Sequence, residues 1–184
     1  MREKPVCTHK TVVAKSRLFT VEEMHLRFAN GAQRCFERIR SHGHGAVLIV
    51  ALTAGESLLL AREYAAGTDT YELSFPKGLI EKGESLFEAA NRELREEVGF
   101  AAKKLDWLKT MTLAPAYFGA KIDLVVARDL YPSPLPGDEP EPPEVIEWPL
   151  SAYNELLVRP DFSEARSIAA LLMVKQWLER GSEQ

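Results

Sequence analysis

The stretch from Gly78 to Phe100 constrains this chain more than any other. A glycine-bearing loop, Pro76 to Glu84, runs into a segment whose apolar residues Leu86, Ala90, Leu94 and Val98 recur every four positions. That spacing predicts an amphipathic helix over Ser85–Val98 with one face on a core. Ser85 and Glu88 stand at capping-box spacing, where each side chain satisfies the other residue's exposed backbone N–H. Gly99 sits where a left-handed C-terminal cap is wanted. On this helix Glu93, Glu96 and Glu97 fall at i, i+3 and i+4 and so share a face. Like charges at that spacing cost ~0.2–0.5 kcal/mol per pair unless something positive sits among them. An acidic helix face alone is ordinary solvated surface. The glycine loop directly ahead of this one lets backbone approach a metal or phosphate. Together they point to a hard, oxygen-seeking divalent cation, Mg2+ first and Mn2+ second. Arg92, the neighbour of Glu93, is placed to orient one glutamate.

The remaining sequence supplies a scaffold around that stretch. Its 184 residues, 46% hydrophobic and 27% charged, suit one moderate globular domain, or one domain with a small appendage. Residues 1–45 read as a β-segment: Ser16–Phe28 leans extended, Cys35 to Arg40 alternates, and Asn30-Gly31 between them predicts a hairpin whose two central residues take positive φ. Residues 46–184 read as the main domain. The apolar runs Ala46–Leu52 and Leu58–Ala61 predict buried strands; Trp107–Leu113, Ile122–Ala127 and the short Val145–Trp148 read as further strands. Pro132 to Pro143 must be an irregular loop, given its prolines. Two helices, Ser151–Leu157 and Ser163–Arg180, complete the chain.

Several function classes are excluded at this level. The net charge of −4, with no basic stripe, argues against nucleic acid. No leader and no membrane-length apolar run are visible, and Cys7 and Cys35 make no CxxC pair. A cytoplasmic protein with reduced thiols, with neither membrane nor nucleic acid as partner, is expected.

Gly78, Glu84, Arg92-Glu93-Leu94, Glu96-Glu97 and Gly99-Phe100 resemble the Nudix box at every defined position. The resemblance implies an α/β fold, an α/β/α sandwich around a mixed β-sheet with an N-terminal antiparallel β-segment. It also implies hydrolysis of a nucleoside diphosphate linked to another group, with divalent metal polarising the diphosphate and acidifying a water. By position, Glu93, Glu96, Glu97 and the Lys77 carbonyl become the metal ligands, while Gly78, Glu84 and Arg92 support the site. The general base in this family lies either in the box or on a late loop, here Glu139 or Glu141.

Features outside the box are similar to the ADP-ribose pyrophosphatase branch, and to its members that hydrolyse a range of ADP-linked compounds. These are Ser16–Val21, Arg62-Glu63-Tyr64, Tyr71-Glu72-Leu73, Ala114–Phe118 with Pro115 and Tyr117, and Gly137–Pro142. That likeness implies cleavage of ADP-ribose, NADH and short diadenosine polyphosphates to AMP by a homodimer joined through the N-terminal segment. Arg62 then becomes the first candidate for a pyrophosphate clamp, with Arg38 and Arg40 from the hairpin reaching across a dimer; Glu37 is a further substrate contact, and Tyr117 or Phe36 stacks on adenine. The alternatives are a nucleoside-triphosphate or coenzyme A pyrophosphatase, and a non-catalytic Nudix nucleotide sensor.

Overall fold

The computed structural model describes residues 2–41, 43–137 and 140–181. The chain divides into two compact units, one of residues up to 42 with Thr112–Lys121, the other of Gly43–Met111 with residues from Ile122 onward.

The first unit is an antiparallel sheet in the order β1 (Val6–Lys15), β2 (Thr20–Arg27), β3 (Gln33–Ile39). Strand β1 was not separately legible, because it is exposed along its whole length and so lacks an in–out alternation. The β2–β3 hairpin forms at Asn30-Gly31 as expected, with one correction. Only Gly31 takes positive φ (81°), whereas the Asn30 side chain accepts a hydrogen bond from Ala32 N at 3.1 Å. The side chain completes the turn, so a second left-handed residue is unnecessary. Across the hairpin, buried Glu22 pairs with Arg38 Nη2 at 2.9 Å and with Lys10 and Arg40 at 3.6 Å each. The Arg38 hydrogen bond, with these charges, holds its carboxyl below the usual range. The segment Thr112–Lys121 is tied to the end of β3, where Ile39 N donates to Tyr117 O at 2.7 Å.

The second unit is built on a mixed seven-stranded sheet. Its path is β10 (Glu144–Pro149), β5 (Ser57–Ala65), β4 (Ala46–Leu52), β9 (Lys121–Pro132), β8 (Phe100–Thr112). Two short strands join at the side, β6 (Thr70–Ser74) on β5 and β7 (Lys77–Leu79) on β4. Strands β4 and β9 run parallel, while β5 pairs antiparallel with β10, β4 and β6.

Strand β4 shows why a helix layer covers each face. Leu48, Val50 and Leu52 join one core with Leu156, Phe162, Leu171 and Val174, from the segment holding α2 (Tyr153–Leu157) and α3 (Ala165–Gly181). Val47, Ile49 and Ala51 join a second core with Ala89, Ala90, Leu94 and Val98 of α1 (Leu86–Glu97) and its C-cap. The period-two geometry of a strand sorts one continuous apolar run onto two opposite layers. The result is the expected α/β/α sandwich.

Candidate active site

Helix α1 carries the site, and its position is tightly specified. The capping box forms as read, with Ser85 N donating to Glu88 Oε2 at 2.8 Å and Glu88 N donating to Ser85 Oγ at 3.3 Å. Gly99 follows with φ of 77°. Asn91 anchors the helix to β8, accepting from Ala102 N at 2.8 Å. With Ala90 and Leu94 on the core, Glu93, Glu96 and Glu97 face a cleft of about 700 Å³ that Lys77, Gly78 and Arg92 also line.

Arg92 organises the cleft. Its guanidinium donates to both carboxylate oxygens of Glu84 (2.9 and 3.1 Å), to Glu93 Oε1 (2.7 Å), Glu96 Oε2 (3.0 Å) and the Leu79 carbonyl (2.8 Å). One side chain thus binds the glycine loop to the helix, and it holds Glu84 below the usual carboxylate range. Gly78 is needed for space. A Cβ there would lie 2.0 Å from the Glu93 carboxyl carbon.

Two of the three box glutamates are costly to ionise here. Burial raises Glu93 against the opposing pull of Arg92. Glu97 is pushed up to about 9, first by burial and then by the charge of Glu63, although Lys77 opposes this and Lys77 N points at its carboxylate (3.3 and 3.4 Å). Glu63 is a member of the cluster that sequence reasoning did not assign. One of its oxygens lies 3.5 Å from Lys77 Nζ, and the other is buried without a hydrogen-bond partner. Oxygen donors in excess of the local positive charge, one of them orphaned, fit a hard divalent cation.

The structure turns Arg62 away from helix α1. Leu59, Ala61 and Glu63 of β5 turn toward α1, so Leu58, Leu60 and Arg62 turn to the other face. There Arg62 Nη2 donates to Asp161 Oδ2 at 2.9 Å, a carboxylate shared with Arg159, and Glu144 lies 3.4 Å from its Nε. Arg62 lines a smaller pocket of about 300 Å³ with Tyr64, Tyr71 and Glu141. Tyr71 Oη donates to Glu141 Oε2 at 2.7 Å, fixing the one late-loop acid that falls within the described residues. Asp138 and Glu139 lie outside them. The loop leaves β9 anchored to the helix, with Leu135 N donating to Arg95 O at 2.9 Å. Arg38 and Arg40 are engaged by Glu22, Glu37 lies across from Glu23, and Tyr117 and Phe36 are exposed, all within the first unit.

A mixed sheet between helix layers, bearing a glycine loop and a three-glutamate helix face, defines a class: the chain belongs to the Nudix hydrolase family. The NUDIX domain model matches residues 42–172, and that of the NudE-type Nudix hydrolase N-terminal domain matches residues 5–38. More particularly, the chain is 52% identical over 177 residues to the ADP compounds hydrolase NudE of Escherichia coli (strain K12), covering 96% of this chain and 95% of that one. It is also 26% identical to an ADP-ribose pyrophosphatase of Bacillus subtilis (strain 168), over 91% of this chain and 94% of the relative. A crystal structure of an ADP compounds hydrolase superposes with a TM-score of 0.92 at 51% identity, covering 98% of this chain and 97% of that one.

Proposed function

We propose that this chain hydrolyses the diphosphate of ADP-linked compounds (ADP-ribose, NADH and short diadenosine polyphosphates) to release AMP, with Mg2+ as the working cation and Mn2+ as a substitute. The observation that carries the reading is the cleft in which Glu93, Glu96 and Glu97 meet the glycine loop. The similarity to an ADP compounds hydrolase along 96% of the chain supports the substrate class. Glu93, Glu97 and the Lys77 carbonyl would hold the cation, with Glu96 as a further carboxylate and Glu63 supporting from β5. Bound there, it supplies charge neutralisation of the diphosphate and a more acidic water.

The chain's own contribution is positioning. Arg92 holds Glu84, Glu93 and Glu96 in one array, and the missing side chain of Gly78 leaves room for the Glu93 carboxylate. The proton acceptor is assigned to the late loop, at Glu141 or Glu139, and the Tyr71 hydroxyl steadies the former. Arg62, to act on the diphosphate, must exchange Asp161 for a phosphate. Arg38, Arg40, Glu37 and Tyr117 enter as substrate contacts in an assembled homodimer.

The dimer is proposed through the N-terminal β-segment, residues 1–45, with residues 46–184 as the catalytic domain. Strand β1 supports this, being an edge exposed along its length and carrying Val6, Val12 and Val13 into solvent. The cytoplasm is the proposed compartment, where exposed Cys7 and Cys35 stay reduced.

The test is a panel of ADP-ribose, NADH, diadenosine triphosphate and deoxynucleoside triphosphates with Mg2+, products separated by chromatography. AMP is expected from the first three, with no turnover in EDTA and little in a Glu97→Gln variant. Preferential cleavage of deoxynucleoside triphosphates would overturn the substrate class, and full turnover by Glu97→Gln would overturn the cation site.

A further inference from the structure

The first unit contains a second donor cluster, of different chemistry from the box. Among the described residues, Glu23, His25 and Cys35 bring one ligand atom each to within 4.8 Å of one another. His25 Nε2 lies 3.0 Å from Glu23 Oε1 and 4.0 Å from Cys35 Sγ. The sheet register produces this grouping. His25 of β2 pairs with Cys35 of β3 on one side and His9 of β1 on the other, so the three form a row across adjacent strands. Glu23, two residues before His25, shares its face. The His9 ring stands edge-on to that of His25, with centroids 5.5 Å apart.

We propose that Glu23, His25 and Cys35, with His9 as a fourth donor, form a site for a thiophilic divalent cation of the zinc class on the N-terminal sheet. Sulfur, imidazole and carboxylate together are the donor set of zinc, whereas magnesium avoids thiolate and seeks oxygen. The distances suit it. With Zn–S near 2.3 Å and Zn–N or Zn–O near 2.0 Å, tetrahedral ligand atoms stand roughly 3.3–3.6 Å apart. The observed 3.0 and 4.0 Å bracket that span, and the three ligand atoms all lie within 4.8 Å of one another; side-chain rotations would bring them to a common cation. Two of the donors are also held in advance, since Glu23 accepts a hydrogen bond from His25. On binding, Cys35 releases its proton to solvent and remains as the thiolate ligand. The cation then fastens β1, β2 and β3 to one another at neighbouring positions.

The decisive measurement is a Co2+ titration of the full chain in a phosphine reductant, with excess Mg2+ keeping the box carboxylates occupied. Cobalt bound by a thiolate shows a sulfur-to-metal charge-transfer band that no all-oxygen site can give. One equivalent of Co2+ should produce the band in the unaltered protein and in Cys7→Ser, and Zn2+ should bleach it. Cys35→Ser should abolish it, with an unchanged far-UV circular dichroism spectrum as evidence of an intact fold. His25→Ala should weaken affinity by at least the roughly 10- to 100-fold that loss of an outer-shell partner costs, and His9→Ala should weaken it to a smaller degree. Absence of the band, its survival in Cys35→Ser, or its loss in Cys7→Ser would each overturn the site. None of these outcomes depends on the substrate reading.

Discussion

A Cβ on Gly78 would stand 2.0 Å from both the carboxyl carbon and Oε1 of Glu93, so the end of that side chain must move if alanine is introduced. Because the displaced group is the tip of a flexible side chain, the fold should tolerate the change at a cost of about 1 kcal/mol. Catalysis should not. A ligand carboxylate displaced by an ångström costs on the order of 10²-fold, so Gly78→Ala should lower Tm by only about 2–4 °C and lose that factor in kcat/KM. Parallel loss of stability and activity would show instead that Gly78 serves the backbone. A second prediction concerns the proton acceptor: Glu141→Gln should lower kcat by ~10²–10⁴-fold with Mg2+ affinity unchanged. Turnover unaltered in that variant would move the base to Glu139 or into the box. At this scale the box residues were legible because helical spacing alone puts Glu93, Glu96 and Glu97 on one face. Glu63 was not, since a single acid on an apolar strand announces nothing until the fold brings it beside Glu97. The facing of Arg62 is hidden for a related reason: which way a strand residue faces is decided by the neighbours it packs with, and Glu63 takes the side of α1.

Helix α1 is the element on which the site depends, and its N-cap is separable from its chemistry. Ser85 caps the helix through Oγ, two turns before Glu93. Replacing a serine cap with alanine costs ~1 kcal/mol. For a chain of this length that lowers Tm by about 2–4 °C. Ser85→Ala should show that shift in a thermal melt, with kcat nearly intact because Asn91, Ala90 and Leu94 still hold the C-terminal half. A large fall in kcat without a stability change would mean that the loop, and not the helix, sets the glutamate geometry. Strong periodicity made α1 and the apolar strand β4 readable from sequence. Short β6 and β7 were not readable, since β7 is held by pairing with β4 inside what reads as a glycine loop. The early half of β8 was hidden by Lys103 and Lys104, which interrupt its apolar pattern while facing solvent.

At the scale of the second unit, strand β5, the glycine loop and helix α1 bring five acids together. Glu63, Glu84, Glu93, Glu96 and Glu97 surround Lys77 and Arg92 there. That imbalance makes stability depend on pH and on cation. The Glu97 carboxyl ordinarily titrates at 4.5 and is pushed up to about 9 in the folded chain. Below 4.5 both states are protonated and the group is neutral in its effect. As pH rises from there toward 9 the unfolded chain ionises first, so folded stability declines through that window. A divalent cation replaces the proton, and its stabilisation should therefore grow with pH. At a concentration 100 times its Kd it contributes about 2.7 kcal/mol, which corresponds to a Tm increase of roughly 5–11 °C for a chain of this size. Melting curves at pH 6 and pH 8.5, each in EDTA and in excess Mg2+, should show a lower EDTA Tm and a larger Mg2+ increment at the higher pH. Glu97→Gln should flatten the EDTA dependence and shrink the increment, because the variant carries no proton to displace. An Mg2+ increment equal at both pH values and retained in Glu97→Gln would place the cation away from this carboxylate.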